Sequence, residues 1–136
     1  METNYNKQLK KMRKEMFTWY RVRLTNEEKA LVVKIHGLSK FTHIAMILEV
    51  PTKKVVKEIE DMICRFMQAR NDRTTKEQIF MPKNLGGLGI PRVKEFWKGI
   101  RLSWLKRTYS SESFWLKLLN KAAGSKLHHY FGKQKE

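Results

Sequence analysis

Lys83-Asn84-Leu85-Gly86-Gly87-Leu88-Gly89-Ile90-Pro91 interrupts a chain that elsewhere repeats apolar residues at helical spacing. Its glycines permit positive φ, and Pro91 suits the first turn of a following helix. No Gly-Lys-Ser/Thr follows, so the run is not a phosphate loop. No third glycine comes at dinucleotide-fingerprint spacing either. The run is therefore a turn, and the fold is decided by the helices that it separates.

Upstream, residues 3–20 form an expected helix with Leu9, Met12, Met16 and Tyr20 near one face. Thr25 and Glu28 have the spacing of a capping box. The helix they open should reach about Leu48 and stop at Pro51. Leu31, Ile35, Leu38, Thr42 and Ala45 share one face of it, and Ala30, Val33, Phe41, Ile44 and Leu48 spread apolar character further round. Such a helix belongs in the core. Thr52 can cap the next helix, 53–69, whose stripe is Val55, Ile59, Met62, Ile63 and Phe66. Cys64 falls on its polar side, which predicts an exposed thiol.

Residues 70–91 read as irregular, with a short strand at Gln78-Ile79-Phe80-Met81. After Pro91 a helix to about Tyr109 aligns Val93, Trp97, Ile100 and Trp104, a spacing that favours packing. Ser111 can cap a last helix, 112–123, with Phe114, Trp115, Leu118 and Leu119 apolar, and Gly124 can end it. The predicted fold is mainly α: a helical bundle of about five helices with an irregular Gly-rich connector. Its segments are 1–72, the connector 73–91, and a basic helical segment 92–136.

The 136 residues suffice for one core. Charge is the strongest compositional signal: 29 Lys+Arg against 13 Asp+Glu, net +16. Residues 1–40 carry ten basic and four acidic side chains, 92–136 eleven and three, and 41–91 eight and six. Two basic arms flanking a near-neutral middle predict attraction to a polyanion, nucleic acid before an anionic membrane. The single cysteine excludes a disulfide framework. No signal-peptide core and no run near the roughly 20 apolar residues of a spanning helix is evident. An intracellular protein of nucleus or cytoplasm, neither secreted nor transmembrane, is expected.

Catalysis and metal binding find little support. His36 and His43 share a helix face but lie about 10 Å apart, too far to chelate one ion. Glu27 and Glu28 are explained by capping, and Glu60 and Asp61, as neighbours on a helix, diverge by about 100°. No Asp-Asp pair occurs in the chain. The expectation is no catalytic residue, no metal ligand and no cofactor. Aromatic and basic residues do interleave, at Trp19-Tyr20-Arg21-Val22-Arg23, Trp97-Lys98 and Trp104-Leu105-Lys106-Arg107. That pattern suits bases stacked on rings with phosphates held by cations.

The order of these pieces resembles the reverse transcriptases of LINE-type non-LTR retrotransposons, over residues 17–119. The resemblance begins at Trp19-Tyr20-Arg21-Val22-Arg23-Leu24-Thr25, similar to Trp-x-x-Arg-x-Leu-Thr in that family. It continues through Lys29-Ala30-Leu31-Val32-Val33-Lys34, Leu38-Ser39-Lys40-Phe41-Thr42, Val50-Pro51, Lys57-Glu58-Ile59 and Phe66. It closes with Pro82, Gly86-Gly87-Leu88-Gly89-Ile90-Pro91, Leu102-Ser103-Trp104-Leu105-Lys106-Arg107 and Phe114-Trp115. Glu28 stands where the family has glycine, and Gln68 where it has tryptophan. The matching region is the thumb and the segment behind it, so the resemblance implies a nucleic-acid-binding part of an RNA-directed DNA polymerase. The palm, with its Tyr/Phe-x-Asp-Asp site and Mg ions, is absent from this chain. The implied partners are RNA and DNA as a template-primer, with the palm and fingers of a polymerase. On this resemblance Arg21, Arg23, Lys29, Lys34 and Lys40 would grip the template-primer backbone. Lys94, Lys98, Arg101, Lys106 and Arg107 would extend the basic surface toward template RNA or target DNA. A free-standing basic nucleic-acid-binding module derived from a retroelement is the alternative.

Overall fold

The structure, a computed structural model, describes residues 2–69, 73–110 and 114–123. It is mainly helical, with no strand among the described residues. The chain divides into two compact units, Met1–Lys98 and Gly99–Glu136.

In the first unit helix α1 (Glu2–Tyr20) buries Tyr5, Leu9, Met12 and Met16, at i, i+4, i+7 and i+11. Tyr5 takes the place in the stripe that the sequence suggested for Tyr20, which is exposed at the end of the helix. The Tyr5 hydroxyl donates to the Glu49 carbonyl at 2.6 Å. This bond fixes the start of α1 against the chain that leaves the second helical run.

That second run begins as α2 (Asn26–Val32), capped as expected. Thr25 Oγ1 accepts from the Glu28 amide at 3.3 Å, and Glu28 Oε2 accepts from the Thr25 amide at 2.7 Å. Its winding then changes. A π turn (Val33–Gly37) is followed by a 3-10 turn (Leu38–Phe41) before α3 (Thr42–Ile47) restores α geometry. The Leu38 amide reaches back five residues to the Val33 carbonyl, the signature of the wide turn. The inward face is Ala30, Val33, Gly37, Phe41 and Ala45, joined by Leu38. Leu31 and Ile35, expected in the core, are 56% and 55% exposed, and Thr42 is half-buried. Two apolar stripes compete on this run, and the one containing Gly37 wins. A Cβ at Gly37 would lie 3.2 Å from Met12 Cε, so glycine lets the run settle onto the methionines of α1. By length and composition Asn26–Ile47 could also cross a membrane, with mean hydropathy 1.2. In this fold it packs on α1 through the face of Val33, Gly37 and Phe41.

Helix α4 (Lys53–Met67) is regular. It buries Val55, Val56, Ile59, Ile63, Phe66 and Met67 against α1 and α2, with Met62 half-buried. Thr52 stands at its N-cap but makes no capping bond. Cys64 is not the exposed thiol expected: it is only 8% exposed. The side of α4 with polar sequence character is flanked by a short helix, α5 (Lys76–Phe80), unforeseen in the sequence. The strand expected at Gln78–Met81 is replaced by this helix because Thr75 and Gln78 form a second capping box. Capping outweighs the strand preference of Ile79-Phe80, and Ile79 becomes fully buried.

The glycine run folds back on α5. After a 3-10 turn (Lys83–Leu85), Gly86 and Gly89 take φ of 87° and 69°. The amides of Leu88, Gly89 and Ile90 donate to the carbonyls of Gln78, Met81 and Ile79. Ile90 and Val93 are fully buried, and helix α6 (Val93–Ser110) starts two residues later than Pro91 suggested. Trp97 is also fully buried, with the rings of Phe41 and Phe96 each 5.8 Å away and that of Tyr5 at 6.3 Å. This aromatic cluster is the centre of the first unit.

The second unit contains the remainder of α6 and helix α7 (Phe114–Ala123). Trp104, expected to pack, is 40% exposed. The caps expected at Ser111 and Gly124 lie outside the described residues, as does the Trp115 side chain.

Candidate nucleic-acid interface

The buried stripe of α1 dictates what its opposite face carries. Lys7, Lys10, Lys11 and Lys14 fall within an arc of about 100°, diametrically away from Leu9 and Met12. All four are exposed, and none has an ion-pair partner among the described residues. Four ammonium groups on about two turns of one helix make a cationic ridge. The acid nearest in sequence, Glu15, faces elsewhere: its carboxylate lies 3.5 Å from Lys40 Nζ and 3.7 Å from His36 Nδ1.

Where α1 ends, the chain turns through an elbow. Arg21 covers the Phe17 ring, its guanidinium carbon 5.0 Å from the centroid. Arg23 is exposed and, with Lys29, Trp19 and Tyr20, lines a cleft of about 680 Å³. Lys29 is half-buried, and its Nζ donates to the Met67 carbonyl at 3.3 Å. A cation there satisfies the last turn of α4 and complements its dipole. Trp19 has its other neighbour in His36, ring centroids 5.1 Å apart. Lys34 is half-buried on the π turn.

The fold thus separates the five candidates of residues 21–40. Arg21 and Arg23 are exposed at the elbow, Arg21 lying over Phe17. Lys29 and Lys40 are bound to groups of the protein itself, so part of their charge is spent inside the fold.

Lys94 and Lys98 are exposed at the start of α6. Lys94 lines a second cleft, about 360 Å³, beside Lys53, Lys57 and Arg92, where Glu60 and Glu95 temper the charge. Arg92 lies 3.6 Å from Glu60 and stacks over Phe80 at 4.9 Å. In the second unit Lys106 and Arg107 are exposed and Arg101 is half-buried. Arg107 Nε donates to the Ser103 carbonyl at 3.3 Å.

Sequence reasoning missed the α1 lysines as a site. The signal is present: four lysines between Lys7 and Lys14 at spacings of one helix face. In sequence alone they look no different from the solvated side of any amphipathic helix. Among the described residues no three His, Cys, Asp or Glu side chains converge as a metal site would require. The chain matches no family model, no curated protein and no solved structure.

Proposed function

We propose that the protein binds nucleic acid through phosphate contacts and is the thumb and post-thumb part of a LINE-type non-LTR reverse transcriptase. In this reading it positions a template-primer, while the Mg-dependent chemistry belongs to a palm that this chain does not contain. The observation that carries the binding is the α1 ridge: Lys7, Lys10, Lys11 and Lys14, exposed and without acidic partners among the described residues. A surface shaped only for solubility would intersperse both signs. The thumb identity rests on the ordered resemblance from Trp19 to Trp115. Arg21 and Arg23, exposed at the elbow, add basic surface at the end of α1. Lys94 and Lys98, and in the second unit Arg101, Lys106 and Arg107, add basic surface for template RNA or target DNA. Phosphate contacts of this kind orient a duplex and are indifferent to its sequence.

The test is a salt titration of the full chain on an RNA–DNA hybrid, a DNA duplex and anionic vesicles. Affinity for the hybrid should fall tenfold or more between roughly 50 and 200 mM salt. Replacing Lys7, Lys11 and Lys14 by glutamine should flatten the log–log slope by about one for each phosphate no longer held. A flat response would remove nucleic acid from consideration. Preference for the hybrid supports the thumb; equal affinity for both duplexes favours a free-standing nucleic-acid-binding module. Tighter binding to vesicles than to either duplex would make the membrane the partner.

A further inference from the structure

A cavity larger than either basic cleft lies on the flank of α1 that faces α4, and it shares Tyr20 and Phe66 with the elbow cleft. It is an open groove of about 750 Å³ between α1 and α4. Its floor is apolar, formed by Met16, Phe17, Tyr20, Met62 and Phe66. Phe17 is 61% exposed and Tyr20 is exposed beside it. An apolar trough beside so many lysines is costly to leave wet and useless for holding phosphates.

The rim states what fits. Its two carboxylates are already engaged: Glu58 with Arg13 at 3.0 Å, and Asp61 with Lys76 at 3.9 Å. Lys54 and Lys57 at one end, and Arg65 at the other, have no ion-pair partner among the described residues. Lys57 and Arg65 are eight residues apart on α4, about 12 Å along the axis. The groove is thus an apolar strip bracketed, about two turns apart, by exposed cations that no described carboxylate pairs. An extended phosphodiester would meet the paired carboxylates midway and lay charge over the apolar floor. A second copy of this chain would bring a net +16 surface to a cationic rim. Residues 124–136 carry three lysines and one glutamate, again the wrong sign.

We infer that the α1–α4 groove docks an acidic amphipathic helix of a partner protein. Its apolar stripe would lie on Phe17, Tyr20 and Met62, and its carboxylates two turns apart would meet Lys54/Lys57 and Arg65. Recognition of this kind uses anchors at i, i+4 and i+7 of the incoming helix. The groove adjoins the elbow cleft, sharing Tyr20 and Phe66 with it, but its occupant is a protein helix rather than a phosphate backbone.

The experiment is fluorescence anisotropy on the full chain at about 0.15 M salt, where loose charge attraction is screened. Three labelled peptides are compared. The first is a helical one with an apolar stripe flanked at both ends by glutamates. The second has the same composition scrambled, and the third has lysine flanks. The first should bind at least about tenfold more tightly than the others. Met62→Gln, at a half-buried position on the α4 side of the groove and with the fold checked by circular dichroism, should abolish that preference without changing affinity for an RNA–DNA hybrid. Lys57→Glu with Arg65→Glu should invert the preference toward the lysine-flanked peptide. Equal binding of the scrambled peptide would overturn the inference. So would displacement of the first peptide by the hybrid, which would make the groove part of the nucleic-acid surface.

Discussion

The run from Asn26 to Ile47 and helix α4 both pack on α1, yet they do so by different means. Helix α4 keeps one winding over Lys53–Met67 and buries one stripe, with Ile59 and Ile63 fully enclosed. The Asn26–Ile47 run passes through α, π, 3-10 and again α geometry and turns inward the stripe that contains a glycine. A regular helix finds its place by side-chain volume alone. The irregular one is placed by a close approach at Gly37, and its winding adapts to keep Phe41 and Ala45 facing the core.

The difference is measurable by denaturant unfolding of matched substitutions. The largest loss should come from Phe41→Ala, about 3–5 kcal/mol, because it removes the ring against Trp97 on the irregular run. Ile59→Ala on α4 and Leu38→Ala on the run should each cost about 2–5 kcal/mol. The caps separate the two helices by a smaller margin. Thr25→Ala removes a bonded cap and should cost about 1 kcal/mol, whereas Thr52→Ala removes none and should cost a few tenths at most. Similarly small are Leu31→Ala and Ile35→Ala, expected within about 0.5 kcal/mol as surface changes. Should Ile35→Ala cost as much as Ile59→Ala, the inward face described for the run is wrong.

Cys64 adds a directional test on α4. Burial raises its pKa, and the neighbouring charge of Lys76 offsets this only in part. Above the ordinary thiol value of 9.0 the unfolded chain releases a proton that the folded chain keeps. Stability contributed by this group is therefore complete at lower pH and declines as pH rises past that value. Comparing the protein with Cys64→Ala between about pH 8 and 10 isolates the effect, since other groups titrate equally in both. An identical pH slope in the two proteins would refute it.

Legibility in the sequence follows the same division. The stripe of α4, the Thr25–Glu28 cap and most of the α1 stripe are readable, because each depends on neighbours within a turn or two. The inward face of the irregular run is not, since Leu31/Ile35 and Val33/Phe41 are equally apolar and only Met12 and Met16 choose between them. The burial of Cys64 is hidden because helix α5, which flanks it, ends in Ile79-Phe80, residues that favour a strand; the Thr75–Gln78 capping box is the overlooked clue. At the candidate interface Arg21 and Arg23 are expected at the surface, and the elbow turns them outward. The inward engagement of Lys29 and Lys40 depends on Met67 and Glu15, which lie far from them along the chain.

The three glycines that interrupt the chain at 86–89 are unequal in what they would let evolution do. Gly86, at φ 87°, has nothing within 4 Å of where a Cβ would stand, so asparagine, which tolerates that backbone, is an acceptable replacement. At Gly87 a Cβ would fall 2.1 Å from the Met81 carbonyl oxygen, a collision with backbone that no rotamer relieves. A lineage drifting at this turn can therefore wander at position 86. At position 87 it stays fixed on glycine for as long as the bend between α5 and α6 is kept.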